Sequence, residues 1–239
     1  MSTARTMGID GCRAGWLGVS LDSGDGNFVL MRDEQELRTM LNATDIVFID
    51  IPIGLEETRY NRTCDELLRR VLGKDYRSSV FSPPIRPVLL TNDYTAACAI
   101  SESKTGKRIS KQAWNITPKI KVVDAILQEN KSLKEGVLES HPELLFKKLN
   151  RGQPSLPKKK TSEGIEQRRK LLKQEDERTD ALYIKLREQL LEKEAKDDDL
   201  LDALVLGFFA NRALSRPIRT LPIPPETDIS GLPMAIHFL

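Results

Sequence analysis

A chain of 239 residues, 39% hydrophobic and 30% charged, is long enough for one sizeable domain or a core with an insertion, and its composition excludes wholesale disorder. A formal net charge of +2 gives no global nucleic-acid signature, so any such interaction has to be local. The three cysteines, Cys12, Cys64 and Cys98, share no CxxC spacing and leave one over, which argues against a disulfide framework or a zinc knuckle.

That cysteine usage suits a reducing compartment. The opening MSTARTMGID carries no apolar signal region, and no run approaches the ~20 apolar residues of a membrane span. A cytoplasmic location with no membrane partner is therefore expected.

Residues 7–10 and 16–21 are short β-rich runs separated by a small-residue turn, and a second turn at 22–27 leads into a third run at 28–32. Three runs joined by two tight turns predict an antiparallel meander. Residues 33–41 follow with helix formers, and the continuous apolar run Ile46, Val47, Phe48, Ile49 predicts a strand buried on both faces, ended by Asp50 and Pro52. A helical crossover of this kind normally sets the new strand parallel to an earlier one. Strand, strand, strand, helix, buried strand is the beginning of an RNase H-like mixed sheet. A doubly wound nucleotide-binding fold would alternate strand and helix from the start.

Residues 53–135 read as a helical insertion between the fourth and fifth strands, with helices over 62–72, 94–103 and 119–129. Val137 and Leu138 predict a last core strand bearing Glu139. Residues 147–173 are strongly basic, 176–212 read as helix with a break near 196–198, and 217–239 as a proline-rich tail. The whole chain is expected to form one such domain, flanked by helices.

Asp202 is the most informative position. It lies inside LLDALVLGFF, apolar on nearly every side, and a buried carboxylate is costly without a cation or a strong donor. Asp199 is one turn earlier on the same face, although acids at 197–199 also suit a helix N-terminus. Asp10 and Asp50 each end an apolar strand, where neighbouring carboxylates repel unless a metal joins them, while a lone Asp there would simply cap a turn. The three acids are expected to converge, and Asp10→Asn or Asp202→Asn to relieve strain in the metal-free protein; if Asp202 instead holds a buried hydrogen bond to Arg13 or to backbone donors, Asp202→Asn should destabilise. Glu139 is a further candidate, alternatively an edge residue or a partner for Arg13. His141 reads as a loop histidine ahead of proline. Arg13 suits a phosphate or a nearby carboxylate. Within the basic run, Lys158, Lys159, Lys160, Arg168 and Arg169 are expected to contact nucleic-acid phosphates, with the loop 152–157 mobile in the free protein.

The stretches GIDGCRAGWLGV, FIDIPIGL, SSVFSPP, ESHPELLF, KKTSEGIEQRR and DDLLDAL, in that order along nearly the whole chain, resemble the family called domain of unknown function 429, described as predicted RNase H-like nucleases. The resemblance implies that Asp10 is the first-strand acid of RNase H and RuvC-type enzymes and that Asp50 ends the fourth strand. It also implies that Asp199 and Asp202 form the paired acids of the final helix, and that Mg²⁺ or Mn²⁺ ions grip a scissile phosphate. No secure counterpart exists for the extra first-helix acid of RNase H proper. The function expected is metal-dependent phosphodiester hydrolysis of DNA or RNA. The alternatives are an RNase H-like binding or structural module without turnover and, less favoured, an actin- or Hsp70-type phosphotransferase.

Overall fold

The computed structural model describes residues 4–22, 24–151, 153 and 155–239. In chain order the elements are β1 (Thr6–Cys12), β2 (Gly15–Ser20), β3 (Asn27–Met31), α1 (Glu34–Asn42), β4 (Ile46–Ile49), α2 (Thr63–Tyr76), α3 (Tyr94–Thr105), α4 (Lys111–Glu129) and β5 (Val137–Glu139). They continue with α5 (Pro142–Leu149), α6 (Ser162–Glu175), α7 (Arg178–Gln189), α8 (Asp197–Arg212), β6 (Arg219–Thr227) and β7 (Pro233–Phe238). The chain separates into two compact units. The first holds the residues up to Asp50, Glu135–Arg219 and His237–Leu239; the second holds Ile51–Lys134 and Thr220–Ile236.

The first unit is an α/β structure built on a five-stranded mixed sheet of order β3-β2-β1-β4-β5. The meander expected from the two tight turns is present: β1 pairs antiparallel with β2, and β2 with β3. After α1, β4 pairs parallel with β1, and β5 pairs parallel with β4. Asp33 starts α1 by accepting a hydrogen bond from Glu36 N at 2.9 Å, so the crossover begins directly after the third strand. Val47, Phe48 and Ile49 have no exposed surface, as their unbroken apolar run requires.

Helix α8 dictates the core. Twelve of its sixteen residues are buried, because it lies against β1, β2 and β4 on one side and against α5, α6 and α7 on others. It approaches the sheet closely at Gly8 and Gly207. A Cβ on Gly8 would overlap Gly207 N and Leu206, so only glycine allows the helix this depth. The helical stretch over 176–212 divides into α7 and α8, with the break running from Leu190 to Lys196.

The second unit contains α2, α3 and α4 and most of the paired strands β6 and β7. Arg62, almost wholly buried, is held by Asp65 and by the carbonyls of Ile53 and Gly54. Two expectations differ here. The third insertion helix begins at Lys111, eight residues before the expected start, with Pro118 inside it. The closing segment, expected to be a tail, instead forms two strands despite Pro222, Pro224 and Pro225. Among the described residues there are eight α-helices, and none is long and apolar enough to cross a membrane.

Candidate functional site

Strand register brings Asp10 and Asp50 together. Ile9 is level with Ile49 on the parallel pair β1–β4, and Asp50 N donates to Ile9 O at 3.0 Å. Asp10 and Asp50 therefore occupy the next level on adjacent strands, side chains on the same face, with strand axes about 4.8 Å apart. That face is the one covered by α8, since Asp10 follows Gly8 by two residues. Two strand residues advance about 6.6 Å, close to the ~7.5 Å that separates Gly207 from Asp202 along the helix. The first turns of α8 thus stand over the carboxyl ends of the parallel strands, where ligands of open α/β sheets usually bind.

Burial makes the cluster electrostatically expensive. Asp202 is 2% exposed and Asp10 7% exposed. Burial first, then repulsion from Asp202 and Asp50, raises the Asp10 carboxyl well above the usual carboxylate range. Asp50 is pushed up to about 8 by burial and by the Asp202 charge, with Glu139 and Glu143 adding and Lys159 opposing. Asp202 Oδ1 is buried without a hydrogen-bond partner. Asp202 Oδ2 accepts from the Lys159 ammonium at 2.5 Å. Burial pulls the Lys159 amine down, but Asp202, Asp10 and Asp50 outweigh it and hold the group above the usual lysine range.

The other candidates fall at the margin. Asp199 Oδ2 accepts from Lys196 N at 2.9 Å, capping α8. Burial still raises the Asp199 carboxyl despite that bond. Glu139, 5% exposed, is level with Ile49 and so one position short of Asp50. Its carbonyl accepts from His237 Nδ1 at 3.0 Å. His141 directly precedes α5. Arg13 is exposed in the β1–β2 turn.

The basic run divides between surface and interior. Lys158 and Lys160 are exposed, whereas Lys159 turns inward between them. Arg168 is not a surface cation: it is 1% exposed and grips both oxygens of Glu143 at 2.9 Å. It also donates to Pro157 O at 2.8 Å, tying down the loop ahead of Lys159. A Cβ on Gly164 would overlap Lys158 O, so glycine at the start of α6 seats that loop. Arg169 is half-buried, bonded to Asp180 at 2.8 Å and stacked over Tyr183. Within the expected mobile loop, residues 152 and 154 lie outside the described residues.

Sequence reasoning thus missed two features, the Lys159 counter-ion and the Glu143–Arg168 pair. The available signals were Glu143 beside the apolar run Leu144, Leu145 and Phe146 and the sequence Thr161-Ser162-Glu163-Gly164, a helix start with a close backbone approach. Among the described residues, no three His, Cys, Asp or Glu side chains are grouped so as to hold a metal ion as they stand. A cavity of about 410 Å³ walled partly by Thr6, Asp22, Phe28 and Met40 lies toward the other end of β1 and brings no acids together.

No curated protein and no solved structure matches the chain. A family model, described as protein of unknown function (DUF429), matches residues 8–227. On that match over most of its length, the chain belongs to the DUF429 family.

Proposed function

We propose that the first unit is an RNase H-like catalytic core whose acidic centre takes Mg²⁺ or Mn²⁺ and hydrolyses phosphodiester bonds of DNA or RNA. The sheet order β3-β2-β1-β4-β5, a meander followed by two parallel strands, supports the RNase H-like reading. The observation that carries the chemistry is Asp202. Its carboxylate is buried, its Oδ1 has no hydrogen-bond partner, and it faces Asp10 and Asp50, whose raised pKa values mark a site short of positive charge.

The donor chemistry suits the ion, while the side chains as they stand are not grouped around one. Asp10, Asp50 and Asp202 offer hard carboxylate oxygens, the class that magnesium and manganese prefer, with Asp199 and Glu139 next to them. A bound ion would polarise the phosphoryl group and supply hydroxide from water. The chain's own residues do the rest. β1 and β4 fix two carboxylates in register, α8 brings the third, and exposed Lys158, Lys160 and Arg13 offer phosphate contacts that orient a strand.

A second reading is favoured by the Lys159–Asp202 pair, which partly neutralises the acids without any metal. On that reading the unit is a binding or structural module without turnover. A cleavage screen with Mn²⁺ over single strands, duplexes, RNA–DNA hybrids and branched junctions separates the two. Cleavage by the wild type, lost by at least ~10³-fold in Asp10→Asn, is expected, in line with removal of a transition-state interaction. Equal cleavage by Asp10→Asn, or none by either protein on any substrate, would exclude the catalytic reading.

A further inference from the structure

The acidic centre already contains a cation, and it belongs to the chain. We infer that Lys159 is an internal latch: its ammonium occupies the place of the divalent ion, and metal enters only as this side chain swings out to solvent. The inference rests on the metal reading of the site and names how that site is regulated.

The geometry of the pair favours exchange over a permanent bond. Lys159 Nζ sits 2.5 Å from Asp202 Oδ2, and the two side chains are 34% and 3% exposed. Asp202 is fixed in the buried face of α8, whereas the lysine stem reaches the surface. The backbone around Lys159 is anchored by Arg168 on Pro157 O and by Thr161, whose amide and hydroxyl both donate to Lys158 O. The loop is thereby held by contacts that do not involve the Lys159 side chain. A lysine suits this task, being a compact, strongly hydrated charge on a flexible four-carbon stem. An ammonium and a divalent ion close to the same carboxylate repel, so the two occupancies exclude one another.

An intramolecular competitor lowers metal affinity by the fraction of time that the site is open. Replacing Lys159 by Met keeps the stem and removes the charge. Titration calorimetry with Mn²⁺ should find Lys159→Met binding at least ~10-fold more tightly than the wild type, with the exposed Lys170→Met unchanged. Wild-type protein supplies a second readout that needs no variant to fold. Acetylation by a water-soluble acylating reagent, followed by mass spectrometry, should be slow at Lys159 in EDTA and fast at Lys158 and Lys160. Saturating Mn²⁺ should bring Lys159 to the rate of its neighbours.

Mn²⁺ binding with equal or weaker affinity in Lys159→Met, or bound Mn²⁺ with Lys159 still protected, would overturn the latch and leave the metal site standing. No Mn²⁺ binding to either protein would overturn both.

Discussion

Asp50→Asn is expected to stabilise the metal-free protein at pH 8 by a few kcal/mol, and to make almost no difference at pH 4. The Asp50 carboxyl, pushed up to about 8 by burial and by Asp202, stays protonated in the folded state at pH values where the unfolded chain, near 3.8, has ionised. Unfolding then releases a proton, so stability falls as pH rises from about 4 to about 8 and levels off above. Each unit of difference is worth about 1.4 kcal/mol, and Asp10, raised by burial in the same direction, shares the effect. Asparagine cannot ionise, so it removes its part of the slope.

Asp202→Asn should have the opposite sign. It deprives the Lys159 ammonium of its closest partner, at a cost of about 2 kcal/mol typical of a charged hydrogen bond. Of the two outcomes open for Asp202→Asn in the sequence, relief of strain or loss of a buried partner, this favours the second, with Lys159 rather than Arg13 as the partner. Urea denaturation in EDTA at pH 4, 6 and 8 measures both. Stabilisation by Asp202→Asn, or a pH slope unchanged in Asp50→Asn, would contradict the electrostatics of the cluster.

Arg168→Met should cost about 3–5 kcal/mol, as expected when one partner of a buried ion pair is removed. Arg168 and Glu143 are 1% and 6% exposed, and Arg168 Nη2 donates to both carboxylate oxygens. Burial raises the Glu143 carboxyl even with Arg168 present, so the orphaned group would take up a proton rather than remain a buried anion. The same change frees Pro157 O and loosens the loop bearing Lys159. The double variant Arg168→Met with Glu143→Leu should recover much of the loss, since an apolar pair of similar volume is often as stable as the ion pair. A cost under about 1 kcal/mol for Arg168→Met would return this arginine to the class of surface cations.

The acids were readable in the sequence because each violates its surroundings. Asp10 and Asp50 interrupt apolar strands, and Asp202 sits in a helix with no polar face. The crossover from β3 through α1 to β4 was readable for a related reason, since a run buried on both faces has few places in a sheet. The basic run was not readable in the same way. Composition gives the charge of residues 147–173, but only the fold sets Lys158 and Lys160 outward while turning Lys159 and Arg168 in. Asp199 was divided between two roles because its position in the first turn of α8 satisfies both, and its oxygen caps the helix. Pro222, Pro224 and Pro225 hid β6, because proline withdraws the amide donors by which a strand is normally recognised. Pro118 likewise hid the first two turns of α4, where a helix start after proline was the simpler reading.

Binding of a divalent cation by the acidic centre of the folded protein underlies the proposed chemistry. It is tested most directly by melting wild type and Asp10→Asn in EDTA and in Mn²⁺. A ligand that binds only the folded state adds about 2.7 kcal/mol at one hundred times its dissociation constant, or roughly 5–10 °C in a chain of this size. The wild type should show that rise and Asp10→Asn little or none. Equal shifts in the two proteins, or no shift in the wild type at millimolar Mn²⁺, would contradict it.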